Sequence, residues 1–173
     1  MCRKHLTNAI AALLLSVCPA LALAQQWSWK EHAYPEDGFA VEFNGPVNVR
    51  PMRLQGEASE RIERGTQYML DSTTHIYLVA ASLNKLGVNL DKGAEQSFAG
   101  LQCRKVVASS PFDAPWGKGR ELRGADCIDG KYTALARYHQ SGLWFYQVLA
   151  LYRDEGGDAG LARYFLQSFR VTR

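Results

Sequence analysis

The sequence predicts an α+β fold, an antiparallel β-sheet flanked by helices, on three observations. The run THIYLVAASL at 74–83 is apolar on both sides, with Ile76 and Leu78 facing one way and Tyr77 and Val79 the other. That pattern belongs to a central strand covered twice. Residues 103–152 read as a meander of strands at 103–109, 119–127, 131–139 and 143–152, the last three joined by short turns at Asp129-Gly130 and Ser141-Gly142, as hairpins require. The chain closes with Leu161, Phe165 and Phe169 recurring every four residues behind Asp158, an amphipathic helix with its own cap.

The first residues carry an address. Arg3, Lys4 and His5 precede an apolar run at 9–17, followed by Pro19 and the small-residue pattern Ala22-Leu23-Ala24. Charge, then an apolar stretch, then small side chains is the order of a cleavable export signal. We place the signal at 1–24, cut between Ala24 and Gln25, and the domain at 25–173. A membrane anchor needs about 20 apolar residues, and this run is shorter and broken by Ser16 and Pro19. A lipid-attachment reading at Cys18 meets a bulky Val17 and an immediate Pro19. The expected address is the periplasm or the extracellular space, with no integral membrane segment after processing.

Processing removes Arg3 and Lys4, leaving 18 Lys and Arg against 17 Asp and Glu, a formal charge of +1. So even a balance carries no electrostatic footprint for nucleic acid. Cys2 and Cys18 leave too, and the remaining Cys103 and Cys127 are expected to pair in an oxidising compartment. Neither belongs to a Cys-x-x-Cys motif or has a nearby histidine, as a redox-active pair or a metal site would want.

In chain order, the turn cluster Tyr34-Pro35-Glu36-Asp37-Gly38 precedes a strand in which Phe39, Val41 and Phe43 share a face. Residues 50–54 suggest a short strand, and the charged stretch 55–65 reads as an exposed hairpin or loop. A further strand at 66–70 comes before the central run, and 91–101 predicts a helix capped by Asp91 with Ala94, Phe98 and Leu101 on one face. Helices on opposite faces would make an α/β/α sandwich; both on one face is the alternative.

Catalytic patterns are sparse. His32, His75 and His139 are far apart and lack metal-ligand spacing; His32 and His139 read as surface or strand-end residues, and His75 as the opening of its strand. There is no Gly-x-Ser-x-Gly turn, and Gly117-Lys118-Gly119 and Gly156-Gly157 lack a fuller phosphate-cradling pattern. No catalytic or metal residue and no cofactor is assigned. The candidate binding loop is 111–120, which offers Phe112, Trp116, Lys118 and Arg120 between two strands that a disulfide would brace, since aromatics and cations on a stiffened loop make good anchors. The competing reading folds Trp116 back over the sheet edge. Arg50, Arg53, Arg61 and Arg64, interleaved with Glu57, Glu60 and Glu63, read as a solvated face.

The phrase Tyr34-Pro35-Glu36-Asp37-Gly38-Phe39-Ala40-Val41-Glu42-Phe43-Asn44-Gly45-Pro46 resembles the opening of the PsbP-like superfamily, and Tyr164-Phe165-Leu166-Gln167-Ser168-Phe169-Arg170-Val171 is similar to its closing helix. Asn44-Gly45 stands here where the family commonly has proline directly after the strand. The resemblance implies a PsbP-like fold and a non-enzymatic module that binds a larger protein. The expectation is therefore a non-catalytic binding or assembly module of the cell envelope, whose partner is another exported or envelope protein. A small-molecule or lipid carrier and an enzyme of unfamiliar type are the alternatives.

Overall fold

Two neighbouring strands decide the architecture. In the computed structural model, which describes residues 28–173, His75–Asn84 and Trp144–Arg153 pair antiparallel, Val79 opposite Val148 and Tyr77 opposite Ala150. Tyr77, Val79, Ala81, Tyr146, Val148 and Ala150 are buried towards one face, and Phe145, Leu149 and Leu151 towards the other. A strand pair apolar on both sides must sit mid-sheet. The export signal at 1–24, its cleavage point and Trp27 lie outside the described residues.

The strands are β1 (Lys30–Tyr34), β2 (Phe39–Phe43), β3 (Asn48–Pro51), β4 (Ile62–Asp71), β5 (His75–Asn84), β6 (Lys105–Ala114), β7 (Gly117–Cys127), β8 (Tyr132–Ser141), β9 (Trp144–Arg153) and β10 (Arg170–Val171). The helices are α1 (Glu57–Arg61), α2 (Leu90–Ala99) and α3 (Ala159–Ser168). Seven strands form one antiparallel sheet in the order β3-β4-β5-β9-β8-β7-β6, and β1-β2-β10 form a second, also antiparallel. Among the described residues no helix is long and apolar enough to cross a membrane.

The antiparallel sheet is as expected, but the layers differ from a plain helical sandwich. One face of the large sheet is covered jointly by α3, through Ala162, Phe165 and Leu166, and by β2, through Phe39, Val41 and Phe43. The other face is packed by α2, whose Ala94 and Phe98 lie on Leu122, Ala134, Ala136 and Tyr138, with the single turn α1 standing apart from it. That helix contacts β7 and β8 and leaves a groove beside it.

Local departures from expectation have simple causes. Helix α2 starts at Leu90, not 91, because Asn89 is extended and its Oδ1 accepts the Lys92 N–H at 2.9 Å; Asp91 instead pairs with Arg120. A side-chain oxygen at that position satisfies an orphan amide of the first turn. Asp158 caps α3 as expected, accepting the Gly160 N–H at 2.6 Å. The stretch 55–65 holds the single turn α1 and the start of β4 rather than a loop, and the short strand lies at Asn48–Pro51. The expected loop 111–120 is the end of a long hairpin: Ala114 pairs with Gly117, leaving only Pro115 and Trp116 between the strands. Gly117 supplies the φ of 140° that this tight reversal needs.

Strand β6 is an edge, exposed along most of its length, with Val106 61% and Val107 54% accessible. Its register slips between Val106 and Ala108, and Pro111 lies further along. Cys103 and Cys127 are joined, with sulfurs 2.02 Å apart.

The two sheets meet around Phe39, fully buried, with ring centroids 4.9 Å from Tyr34, 5.0 Å from Tyr68 and 5.5 Å from Phe169. Below them Asp37, 4% exposed, accepts the Tyr68 hydroxyl at 2.7 Å, and its carbonyl accepts the Tyr146 hydroxyl at 2.9 Å. Phe39→Ala is expected to cost about 3–5 kcal/mol, read from urea unfolding, whereas Val106→Ala on the open edge should stay within about 0.5 kcal/mol.

Candidate functional site

The four residues singled out at 111–120 do not form one surface. The Phe112 ring lies over Gly119, where a Cβ would come within 2.2 Å of it, and meets the His139 ring edge-on at 5.0 Å. Trp116, half-buried, donates its indole N–H to His139 Nδ1 at 3.2 Å and packs edge-on to Phe169. Both aromatics therefore turn inward over the sheet. Lys118 stays in solvent, and Arg120 donates to Ser109 Oγ at 3.0 Å and to Asp91 at 3.3 Å, tying β7 to the start of α2.

The Arg/Glu stretch also divides. Arg61 pairs with Glu57 at 3.2 Å, both exposed, while Arg64 reaches Asp37 at 3.4 Å and lies 5.0 Å over the Trp144 ring. Arg173 stacks on the same ring at 4.1 Å.

His139 corrects the sequence expectation of a surface or strand-end residue: it is 2% exposed, opposite Tyr146 in the ladder and stacked on Phe169 at 5.0 Å. Because the Trp116 N–H points at Nδ1, that nitrogen is the acceptor and the proton sits on Nε2, which has no partner among the described residues. Burial, reinforced by the nearby Arg137 charge, pushes the imidazole pKa down to about 4. His75 opens β5 as expected, and its Nε2 accepts the Asp158 N–H at 3.1 Å, so it anchors the start of α3. His32 lies on β1 beside Tyr34 and Phe43. Each of these three histidines is used locally, and no group of three or more His, Cys, Asp or Glu that could hold a metal occurs among the described residues.

A different feature has the form of a binding site. Between α1 and α2 the large sheet is left bare, making a groove of about 730 Å³. Ala80, Ser82, Phe145 and Gln147 line its floor; Lys92, Gly93, Gln96 and Ser97 of α2 form one wall, and Met52, Ala58, Arg61 and Ile62 the other. Small side chains on central strands give it depth. Gly93 lets α2 rest on the Phe145 ring, which a Cβ there would meet at 3.2 Å. Ser82 donates to the Phe145 carbonyl at 3.2 Å and Asn84 to the Leu143 carbonyl at 3.2 Å, so both spend donors on backbone. The charged groups Glu57, Arg61 and Lys92 stand on the exposed rim, and Leu86 at one end is 78% exposed.

Sequence reasoning missed this groove because its lining comes from separated segments between Met52 and Gln147. One signal was present: Ala80 and Ser82, small residues on one face of an otherwise bulky central strand.

The buried His139 makes stability depend on pH. The unfolded chain takes up a proton near the ordinary value of 6.5, whereas the folded imidazole resists until about 4, so stability rises with pH wherever the unfolded state binds more protons. It should be constant with respect to this group above pH 6.5, fall between 6.5 and 4 by roughly 3 kcal/mol, and level off below. Unfolding free energies of the wild type and His139→Leu across that window check this; the variant should show the shallower slope.

No family model matches the chain, and no curated protein does. Solved structures do match. One is the solution structure of cyanobacterial PsbP (CyanoP) from Synechocystis sp., with 16% identity over 91% of this chain and 98% of that one, at a TM-score of 0.53. At that identity the likeness speaks for the fold alone, and the chain has a PsbP-like fold.

Proposed function

We propose that this chain is an exported, non-catalytic binding or assembly module of the cell envelope, and that it takes a protein partner along the groove between α1 and α2. The observation that carries this reading is the groove itself: a floor of Ala80, Ser82, Phe145 and Gln147, with the charged groups Glu57, Arg61 and Lys92 at the exposed rim. A floor free of charge within a charged rim is the anatomy of a protein contact, whose core is depleted of charged residues. The PsbP-like fold supports an accessory role over catalysis, although folds alone do not assign function. The export pattern at 1–24 and the Cys103–Cys127 bond agree with an oxidising address outside the cytoplasm.

Catalysis would want titratable side chains converging on the cavity. His75 and His139 instead serve as an anchor for α3 and a prop for the hairpin tip. The carrier reading keeps one specific support, because about 730 Å³ falls within the range of small-molecule sites, roughly 300–1,000 Å³.

A photoreactive phenylalanine analogue placed at Gln96, on the α2 wall, should cross-link one protein in cells that make the chain. Gln147→Trp, which fills the floor, should lower that adduct about tenfold. An adduct indifferent to Gln147→Trp, or one formed only from Lys118, would overturn the assignment. Native mass spectrometry separates the carrier: a bound small molecule that Gln147→Trp expels would replace the protein partner. Trp116→Ala should leave the Gln96 adduct intact while lowering stability by roughly 1–3 kcal/mol, measured by thermal unfolding.

A further inference from the structure

We propose that the Cys103–Cys127 bond acts as the support of the groove's helical wall, so that the groove is fully formed only in the oxidised protein. This deepens the binding reading and rests on it for its functional meaning, while its structural content stands apart.

The first observation is where the backbone is strained. All four non-glycine residues with positive φ among the described residues flank the two cysteines: Gln102 at 51°, Asp126 at 54°, Ile128 at 46° and Asp129 at 61°. A β-branched residue is a genuine outlier there, and such conformations persist only where the surroundings over-determine them. Ile128 is 36% exposed, so burial does not compensate fully. Its N–H donates to the Leu101 carbonyl at 3.1 Å, the Arg104 N–H to the Asp126 carbonyl at 3.3 Å, and the covalent bond closes the corner.

The second observation is what leans on that corner. Gly124 of β7 has no room for a Cβ, which would lie 2.7 Å from Cys103 Sγ and 2.9 Å from the Phe98 ring. The sulfur and the ring are thus laid side by side on bare backbone. Phe98 and Ala94 are the two buried residues of α2, so the larger of its two buried side chains adjoins the bond. The link from helix to cysteine is short: Leu101 and Gln102 donate to the Phe98 and Ala99 carbonyls at 3.0 and 3.1 Å, and Cys103 follows. The opposite flank of the same helix supplies Lys92, Gly93, Gln96 and Ser97 to the groove.

A dithiol reductant would release the wall. Its thiolate attacks the half-buried Cys103 sulfur and frees Cys127, which is wholly buried. Its second thiol then closes a disulfide on the reductant and frees Cys103, so two electrons and two protons have moved from reductant to protein. With the covalent tie gone, Gln102, Asp126 and Ile128 relax to ordinary backbone and Phe98 loses its seat.

Amide hydrogen exchange on the whole chain, read by mass spectrometry, tests this. On reduction with dithiothreitol, peptides from α2 through Cys103 should exchange about tenfold faster, with β5, β9 and α3 unchanged. Ile128→Gly, which accepts positive φ without strain, should restore most of the α2 protection in the reduced state. Unchanged α2 exchange on reduction, loosening spread alike over all elements, or no rescue by Ile128→Gly would each overturn the proposal. The readout needs no partner. Failure of the Gln96 cross-link alongside the expected α2 loosening would remove the partner reading and leave this one standing.

Discussion

The antiparallel pairing of β5 with β9 is the constraint on which the rest of the structure depends. Nine residues of each strand pair, from His75 with Tyr152 to Leu83 with Trp144, and they present apolar side chains on both sides. A strand pair of that kind is unstable until each face is covered, so the chain must find two coverings. The solutions are unequal. The side bearing Tyr77, Val79, Tyr146 and Val148 receives a helix and a second sheet, with Phe39 at the junction. The side bearing Phe145 and Leu149 receives one ten-residue helix, too short to span it, and the single turn α1 at a distance. The groove is the uncovered remainder of that side, where Ser82 and Gln147 join Ala80 and Phe145.

This inequality shows what could be read from residues alone. Strands 74–83 and 143–152 were legible because both faces are apolar, and 158–169 because a capping Asp158 precedes a regular stripe. The pairing of Cys103 with Cys127 followed from compartment logic. Strands β1 and β10 were not legible, since five residues of mixed polarity and two residues at the chain's end acquire strand character only by pairing with β2. His139 was hidden for a related reason. The face of β8 turned towards α3 and β2 runs Leu135, Arg137, His139, too polar to read as core; only the register that sets His139 opposite Tyr146 reveals it.

Polar residues inside this fold are spent on joining elements. Asp37 gathers Tyr68, Tyr146 and Arg64 beneath the first turn. His75 meets the start of α3 and His139 the tip of the β6–β7 hairpin. Buried hydrogen-bonded groups of this sort fix which surfaces meet, since misalignment would strand them without partners. The hairpin tip drew notice for its aromatics, and the same aromatics are what hold it down.

Strand β6 has a consequence of another order. A sheet with a long bare border is a template on which a foreign chain can crystallise into fibres. Here the slip between Val106 and Ala108 and the missing amide of Pro111 cut the border into short runs, Ala108–Ser110 and Phe112–Ala114 being the longest. Interruptions of that kind blunt an edge as a template, which lets the two exposed valines face solvent beside a border that offers an incoming strand few consecutive partners.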